Sequence, residues 1–283
     1  MTDKQTMSSR ELGLVLAQQL LDVDDLHYGL WDADLPLTLG NVARAQQRYT
    51  QLLLGHVARL LEGIEAPRIL DVCFGTGHML EQLLSEGYQV DAVNPSPALN
   101  RQVHARLDRL HDTRVNLFEC GFEAIPDVPA LQRYHLLLFS ESFQYIPLLD
   151  IFSISPRLLR PGGQLLVCDF FKTDAHRDGG AGDRSFSGGH VLRAFYDDVS
   201  SSRFTLQYDE DLTARVSPNI ALLDEWLMQR LLPASQSIDT YLTGRYPWSI
   251  RLLKWLTRRR LARLRYKYLS GNRSQAMFEK YKS

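Results

Sequence analysis

The sequence predicts an α/β fold, in which a mainly parallel sheet carries helices on both faces and a helical cap is added. Two observations lead to this prediction. From residue 68 onward, short apolar runs alternate with amphipathic stretches of helical periodicity, which is typical of β-α-β units. The segment RILDVCFGTGHML (68–80) reads as an apolar strand, a glycine-containing turn and the start of a helix, the place where such folds hold a ligand.

The composition is that of a soluble globular protein with a sizeable core. The chain has 283 residues, of which 45% are hydrophobic and 23% are charged. No apolar run approaches the ~18 residues of a membrane helix, and the first residues lack a secretory signal pattern. The three cysteines, Cys73, Cys120 and Cys168, are widely spaced, so we expect neither disulfides nor a zinc site, and a cytoplasmic location fits.

The order of the patterns divides the chain into three predicted regions. Residues 1–63 read as an N-terminal helical cap or lid, and residues 211–283 as a C-terminal helical cap with a basic tail. Residues 64–210 read as the core, in which a Gly- and Asp-rich stretch, 176–190, predicts a loop. The predicted core strands are 68–72, 89–94, 115–120, 135–140, 163–171 and 203–209.

Charge is segregated along the chain. Residues 245–283 hold twelve Lys or Arg and one acid, a net charge of +11, whereas the first 244 residues hold 20 bases and 32 acids, a net charge of −12. The basic stretch 245–268 interleaves its cations with apolar residues. We expect it to pack against the acidic body of the same chain; docking on a carrier protein or peripheral membrane contact comes next, and nucleic acid binding is least favoured.

The turn after the first predicted strand is the candidate binding loop. Gly75 and Gly77 would let the backbone approach a ligand closely. Cys73 stands where such loops often carry their first glycine. The loop is neither a GxxxxGK[ST] phosphate loop nor a complete GxGxxG dinucleotide motif.

Four segments, in this order, resemble the class I S-adenosylmethionine-dependent methyltransferases. They are ILDVCFGTG (69–77), GFEAIP (121–126), LLLFSESFQYI (136–146) and SPRLLRPGGQLLVCDFF (155–171). The likeness is to the small-molecule branch, which includes cyclopropane-fatty-acid-synthase-like and tocopherol-methyltransferase-like enzymes. HYGLWD (27–32) and SGGH (187–190) are similar to shorter segments of this branch. The resemblance implies a Rossmann-like methyltransferase fold and S-adenosylmethionine as the cofactor.

The same resemblance assigns expected contacts with the cofactor. Asp71 matches the acid near the amino-acid end of the cofactor, and Gly75 and Gly77 match the glycines beneath it. Asn94 falls where the family has an acid that holds the ribose hydroxyls, and Gly121 falls where many members have an acid facing the adenine. The full expected set is Tyr28, Asp71, Cys73, Gly75, Gly77, Asn94, Gly121, Phe122 and Ser140.

Three of these residues depart from the family pattern: Cys73, Asn94 and Gly121. Cysteine is small and fits a tight turn if its φ stays negative, and asparagine can both accept and donate hydrogen bonds. Backbone amides can read an adenine. We therefore favour weakened but retained cofactor binding over a non-catalytic binding or scaffold protein.

Glu141 and His190 are the candidate general bases, because methyl transfer to a hydroxyl needs a proton acceptor. A solvent-facing carboxylate and a capping histidine are the alternatives. No histidine spacing indicates a metal site. The cap regions are rich in Leu, Trp, Tyr and Phe, which suits a hydrophobic small molecule: a natural product, polyketide or lipid. O-methylation is favoured over C-methylation, and a cofactor-binding cyclase without net methyl transfer is a further alternative.

Overall fold

The computed structural model describes residues 23, 25, 27–110, 115–125, 134–172, 189–226, 229 and 232–245. The chain divides into two compact units. The first draws its described residues from Met1–Pro36, Gly40–His176 and Gly188–Asp211, and the second from Leu37–Leu39 and Leu212–Ser283.

The first unit is built on a five-stranded sheet in which all neighbouring strands are parallel, with the order β3-β2-β1-β4-β5. The strands are β1 (Arg68–Val72), β2 (Gln89–Val93), β3 (Leu117–Phe118), β4 (Tyr134–Ser140) and β5 (Leu159–Cys168). A separate parallel pair joins β6 (Phe171–Lys172) to β7 (His190–Val191). The predicted parallel α/β architecture is confirmed.

Helices separate the strands, as the alternating pattern predicted. The helices of the first unit are α1 (Val42–Leu60), α2 (His78–Ser85), α3 (Pro97–Leu110), α4 (Leu148–Leu158) and α5 (Leu192–Ser201). Those of the second unit are α6 (Thr213–Val216), α7 (Pro218–Glu225) and α8 (Leu232–Arg245). No helix among the described residues is long and apolar enough to cross a membrane.

The centre of the sheet is buried on both faces. Leu70 and Val72 in β1 and Leu136 and Leu138 in β4 have no exposed surface. Such continuous burial explains why these strands read as apolar runs rather than as alternating patterns. Apolar burial of this kind is the main source of stability for the unit.

One predicted strand is absent. Residues 203–209 carry no strand pairing and run as irregular chain beside α5. Their aromatic residues make ring contacts instead: Phe204 lies 6.1 Å from Phe152, and Tyr208 lies 5.1 Å from His56. The apolar run that suggested a strand therefore serves side-chain packing. The predicted loop at 176–190 and the basic stretch 245–268 lie almost wholly outside the described residues.

A buried carboxylate ties three strands together away from the ligand edge. Asp91 in β2 is 1% exposed. Its Oδ2 accepts hydrogen bonds from the Arg68 guanidinium at 2.9 Å and from the Tyr134 hydroxyl at 2.7 Å. Its Oδ1 accepts from the side-chain and backbone N–H groups of Asn116, at 2.8 and 3.2 Å. Strands β1, β2 and β4 are thus joined by side chains as well as by their ladders.

We expect Asp91→Ala to lower the free energy of unfolding by about 3 kcal/mol, because Arg68 would keep its charge without its buried partner. Urea denaturation followed by circular dichroism measures this loss. Asp108→Ala, at an exposed position of α3, is the control and should change the free energy of unfolding by less than about 0.5 kcal/mol. Equal effects of the two variants would contradict the assigned role of Asp91.

Candidate active site

Three predicted site residues, and the unpredicted Asp169, lie at the carboxyl edge of the sheet. Asp71 lies near the end of β1, Asn94 follows β2, Glu141 follows β4 and Asp169 follows β5. Ligands of open parallel sheets bind beyond this edge, where the loops begin. A cavity of about 370 Å³ lined by His135 and Arg160 lies instead at the opposite edge, so we do not place the site there.

The loop after β1 has a left-handed backbone conformation at three alternate positions. Cys73, Gly75 and Gly77 have φ values of +60°, +56° and +83°. The Cys73 N–H donates to the Val93 carbonyl and the Gly75 N–H to the Cys73 carbonyl, both at 2.7 Å. The expectation that Cys73 keeps a negative φ is wrong, since these two hydrogen bonds hold it in the conformation that favours glycine.

The two glycines of the loop serve different purposes. A Cβ on Gly77 would lie 2.6 Å from the Val103 Cγ2 atom, so this glycine allows the loop to pack against α3. A Cβ on Gly75 would meet no atom of the described residues within 4 Å. Open space lies over Gly75, where a ligand can approach the backbone.

Asp71 is a buried carboxylate with an unused acceptor. It is 1% exposed, and its Oδ2 has no hydrogen-bond partner among the described residues. Burial, assisted by the nearby charge of Asp25, raises the pKa of Asp71 to about 7. The fold thus holds a carboxylate where it is poorly solvated, and a cationic ligand group would satisfy it.

Asn94 is engaged by its own loop. Its Oδ1 accepts from the Ser96 N–H at 2.9 Å, and its carbonyl accepts from the Asn100 amide at 3.2 Å. The side-chain oxygen therefore shapes the turn after β2. This is a typical use of asparagine at turns, and it reduces the capacity of this residue to hold ribose hydroxyls.

Glu123 covers the position of the missing side chain at Gly121. An ideal Cβ on Gly121 would lie 2.2 Å from one Glu123 carboxylate oxygen and 2.7 Å from the other. The Glu123 carboxylate, from two residues later, thus lies against the bare Cα of Gly121. Sequence reasoning missed Glu123, although this acid is part of the segment GFEAIP.

Phe122 lies in the core, 1% exposed and 5.6 Å from the Phe139 ring.

Glu141 lies among residues that are far apart in sequence. Its φ of +50° is strained for a residue with a side chain, and its N–H donates to the Cys168 carbonyl at 2.8 Å. Its Oε1 accepts from the Tyr28 N–H at 2.9 Å. Burial raises the pKa of Glu141 to about 7, and the positive charge of His27 opposes this rise. The structure therefore brings the predicted residues Tyr28 and Glu141 together.

Ser140 and Tyr28 have aromatic neighbours. The Ser140 hydroxyl lies 3.1 Å from the Tyr49 hydroxyl, and the Tyr28 ring lies edge-to-face with Phe170 at 5.1 Å. Burial raises the pKa of Tyr28 to about 12, and the charge of Glu141 adds to this effect. The Tyr28 phenol is therefore protonated at neutral pH. Sequence reasoning did not single out Tyr49, which lies in α1.

His190 is engaged by backbone carbonyls. Its Nε2 lies 2.9 Å from the Ile146 carbonyl oxygen and 3.1 Å from that of Phe143, so this nitrogen carries the proton and donates. The His190 ring also packs edge-to-face on Phe143. This geometry holds the turn after β4 and leaves Nε2 without a lone pair for base catalysis. In the described part of the chain, no three His, Cys, Asp or Glu side chains are grouped as metal ligands.

Replacing Cys73 by glycine should raise the free energy of unfolding by up to about 1 kcal/mol, because it removes the left-handed strain. Thermal denaturation and urea titration measure the change. Cys120→Gly is the matched control, since Cys120 is a partly buried cysteine outside the positive-φ set. We expect this control to destabilise the fold. A loss of stability in Cys73→Gly equal to that of Cys120→Gly would show that the positive φ carries no strain.

Comparisons with known proteins agree with this geometry. Residues 69–163 match the family described as methyltransferase domain. No curated protein sequence gives a significant match. Among solved structures, geranyl diphosphate C-methyltransferase from Streptomyces coelicolor A3(2) aligns with a TM-score of 0.62 at 18% identity, covering 73% of this chain and 81% of the other. That structure contains Mg²⁺, geranyl diphosphate and S-adenosyl-L-homocysteine.

Two further structures share the fold. The [4+2]-cyclase SpnF has a TM-score of 0.62 and 18% identity, covering 97% of this chain and 91% of that one. The cyclopropane synthase MmaA2 from Mycobacterium tuberculosis has a TM-score of 0.59 and 16% identity, covering 82% of each chain. The resemblance inferred from the motifs is confirmed. Residues 69–163 match a methyltransferase domain, and the chain shares the Rossmann-like fold of the class I methyltransferases that use S-adenosylmethionine.

Proposed function

We propose that this protein transfers a methyl group from S-adenosylmethionine to a hydrophobic small molecule of natural-product, polyketide or lipid type. The observation that carries the proposal is the unpartnered Oδ2 of buried Asp71 at the carboxyl edge of the sheet. When bound, the cofactor supplies an electrophilic methyl group on a sulfonium. The protein's part is to orient the two reactants and exclude water.

The residues on the cofactor side fit this ligand. Asp71 would accept hydrogen bonds from the ammonium of the methionine part, over the open surface at Gly75. Glu123 would supply a carboxylate on the adenine side, because its oxygens lie 2.2 and 2.7 Å from the Cβ position of residue 121. Asn94 fits least well, because its Oδ1 is already used by Ser96. We therefore propose binding that is weakened at the ribose and retained elsewhere.

The residues around the acceptor position support methyl transfer to an oxygen atom. Glu141 has a pKa of about 7, so an appreciable fraction is ionised at neutral pH and can take a proton from a hydroxyl. The edge-to-face pair of Tyr28 and Phe170 gives an apolar wall beside it. Tyr145, which is 57% exposed, adds an aromatic ring on the 3₁₀ turn after β4. An aromatic rim around one buried base suits a hydrophobic alcohol or phenol.

A second candidate is a cofactor-binding cyclase without net methyl transfer. It is supported by the alignment with SpnF over 97% of this chain. Cofactor binding without consumption would identify this activity. A non-catalytic scaffold, the remaining alternative, predicts no cofactor binding. Carrier-protein or membrane contact through residues 245–268 and a cytoplasmic location stay predictions.

The experiment that tests the cofactor is a calorimetric titration of the full chain with S-adenosylhomocysteine, S-adenosylmethionine, ATP and NAD. We expect binding of the first two alone, with a dissociation constant in the micromolar range, about −8 kcal/mol. Binding of ATP or NAD with equal strength would overturn the assignment. A folded protein that binds none of the four would support the scaffold.

Asp71→Asn should separate stability from binding. The folded pKa of about 7 lies above the unfolded value, so between about pH 4 and pH 7 the folded state binds the extra proton and stability falls as pH rises. Asn cannot ionise, so the variant should be more stable than wild type at pH 8, by on the order of a few kcal/mol, and show no gain near pH 4. Its affinity for S-adenosylhomocysteine should fall by about tenfold or more, since a charged hydrogen bond is lost.

Urea denaturation at pH 4 and pH 8 and calorimetry measure the two effects. Asp198→Asn, at an exposed position of α5, is the control and should change neither. Unchanged affinity in Asp71→Asn would remove Asp71 from the site, while unchanged stability at pH 8 would show that its carboxylate is solvated.

A further inference from the structure

His27 lies beside Glu141 in the segment that precedes α1. Its side chain is only 9% exposed, and its ring stacks on Tyr49 with 4.3 Å between centroids. The backbone of the next residue, Tyr28, donates its N–H to Glu141. The proposed function assigns no role to His27.

The hydrogen bonds of His27 indicate its protonation state. Nδ1 lies 2.9 Å from the Tyr28 carbonyl oxygen, which can only accept. Nε2 lies 3.1 Å from the Asp25 carboxylate and 3.2 Å from the Thr50 hydroxyl, which can also accept. A neutral imidazole has one N–H, so only the imidazolium donates on both sides.

The charges around His27 agree with this state. Burial, the largest effect, lowers the pKa of His27, but the hydrogen bond and charge of Asp25, the charge of Glu141 and the Tyr28 carbonyl together raise it above 6.5. The hydroxyl of Tyr49 stays protonated, because burial raises its pKa well above 10. The remaining titratable groups around this cluster face Asp25: His78 Nε2 lies 3.9 Å from its carboxylate, and Asp71 is coupled to its charge.

The His27 side chain acts on Glu141 in two ways, through a backbone contact and through its charge. The His27 ring holds the Tyr28 carbonyl, and the N–H of the same residue holds Glu141 Oε1 at 2.9 Å. The positive charge of His27 also opposes the burial that favours the protonated form of Glu141. One side chain thus affects both the orientation and the ionisation of the proposed base.

We propose that His27, as an imidazolium, is a positioning residue for Glu141: it fixes the Tyr28 backbone that binds this carboxylate and supplies the charge that favours its ionised form. The inference deepens the proposed function and rests on it, because it takes Glu141 as the group that faces the acceptor. His27 itself does not touch the substrate.

The segment has other anchors, so a variant at His27 should fold. The Gln46 side chain donates to the His27 carbonyl at 2.8 Å, and the Leu30 N–H donates to the Ala45 carbonyl at 2.9 Å. A Cβ on Gly29 would lie 2.4 Å from the Ala45 Cβ, so the chain packs directly on α1. None of these contacts uses the imidazole.

The direct test is nitrogen NMR of the histidine rings in the full chain, titrated over pH. We expect both ring nitrogens of His27 to carry protons at pH 6.5, with a midpoint above 6.5. Asp25→Asn should lower this midpoint, and Glu141→Gln should lower it by a smaller amount. The pKa of His135, lowered by burial and by Arg160, should not move in either variant and is the internal control. A neutral His27 at pH 6.5, or a midpoint that Glu141→Gln leaves unchanged, would overturn the proposal.

Hydrogen exchange tests the positioning itself. In His27→Gln the Tyr28 amide should exchange roughly tenfold faster than in wild type, while the Leu30 amide keeps its protection. Equal changes at the two amides would mean a general loosening and would count against a positioning role.

Titration with S-adenosylhomocysteine separates the two proposals. If wild type binds this ligand and His27 is neutral, the inference on His27 fails alone. If nothing binds, the proposed function fails whatever the state of His27.

Discussion

Burial of carboxylates at the carboxyl edge of the sheet is the constraint on which the site depends. Asp71 and Glu141 have pKa values raised to about 7, and Asp169 to about 6, in each case chiefly because burial removes the carboxylate from water. Asp169 is held by backbone N–H groups of Gln144 and Phe170, whereas Asp71 has an unpartnered oxygen among the described residues. Buried carboxylates that resist ionisation are stabilised when a cation binds beside them. A cofactor with a sulfonium and an ammonium group brings two positive charges.

The segment before α1 belongs to this site although it precedes the core in sequence. His27 and Tyr28 reach Glu141 across 113 residues of chain because Gly29 allows direct packing on α1. Few backbones can approach a helix so closely, and a side chain at this position would displace the segment. This part of the predicted N-terminal cap therefore brings a backbone donor, the Tyr28 N–H, to Glu141.

The departures from the family pattern have separate physical explanations. Cys73 keeps the left-handed turn at the expense of strain, since two hydrogen bonds of 2.7 Å hold it there. The Glu123 carboxylate lies directly over Gly121, which lacks a side chain. Asn94 gives its side-chain oxygen to the loop. Only the last of these reduces the groups available to a nucleoside, which is why we favour weakened binding over a lost site.

The sequence by itself determined the parallel sheet, the loop after β1 and the placement of Asp71, Asn94 and Glu141 at one edge. It could do so because fully buried strands read as continuous apolar runs, and because parallel strands bring their carboxyl ends together. It misjudged residues 203–209, where Phe204 and Tyr208 pack against other rings, and the backbone of Cys73. Only the tertiary structure decided the partners of Glu141, the carboxylate of Glu123 over Gly121 and the contacts of His27. Each of these depends on contacts in space that a local sequence pattern cannot predict. Burial, which sets the protonation of the carboxylates, is a property of the folded chain alone.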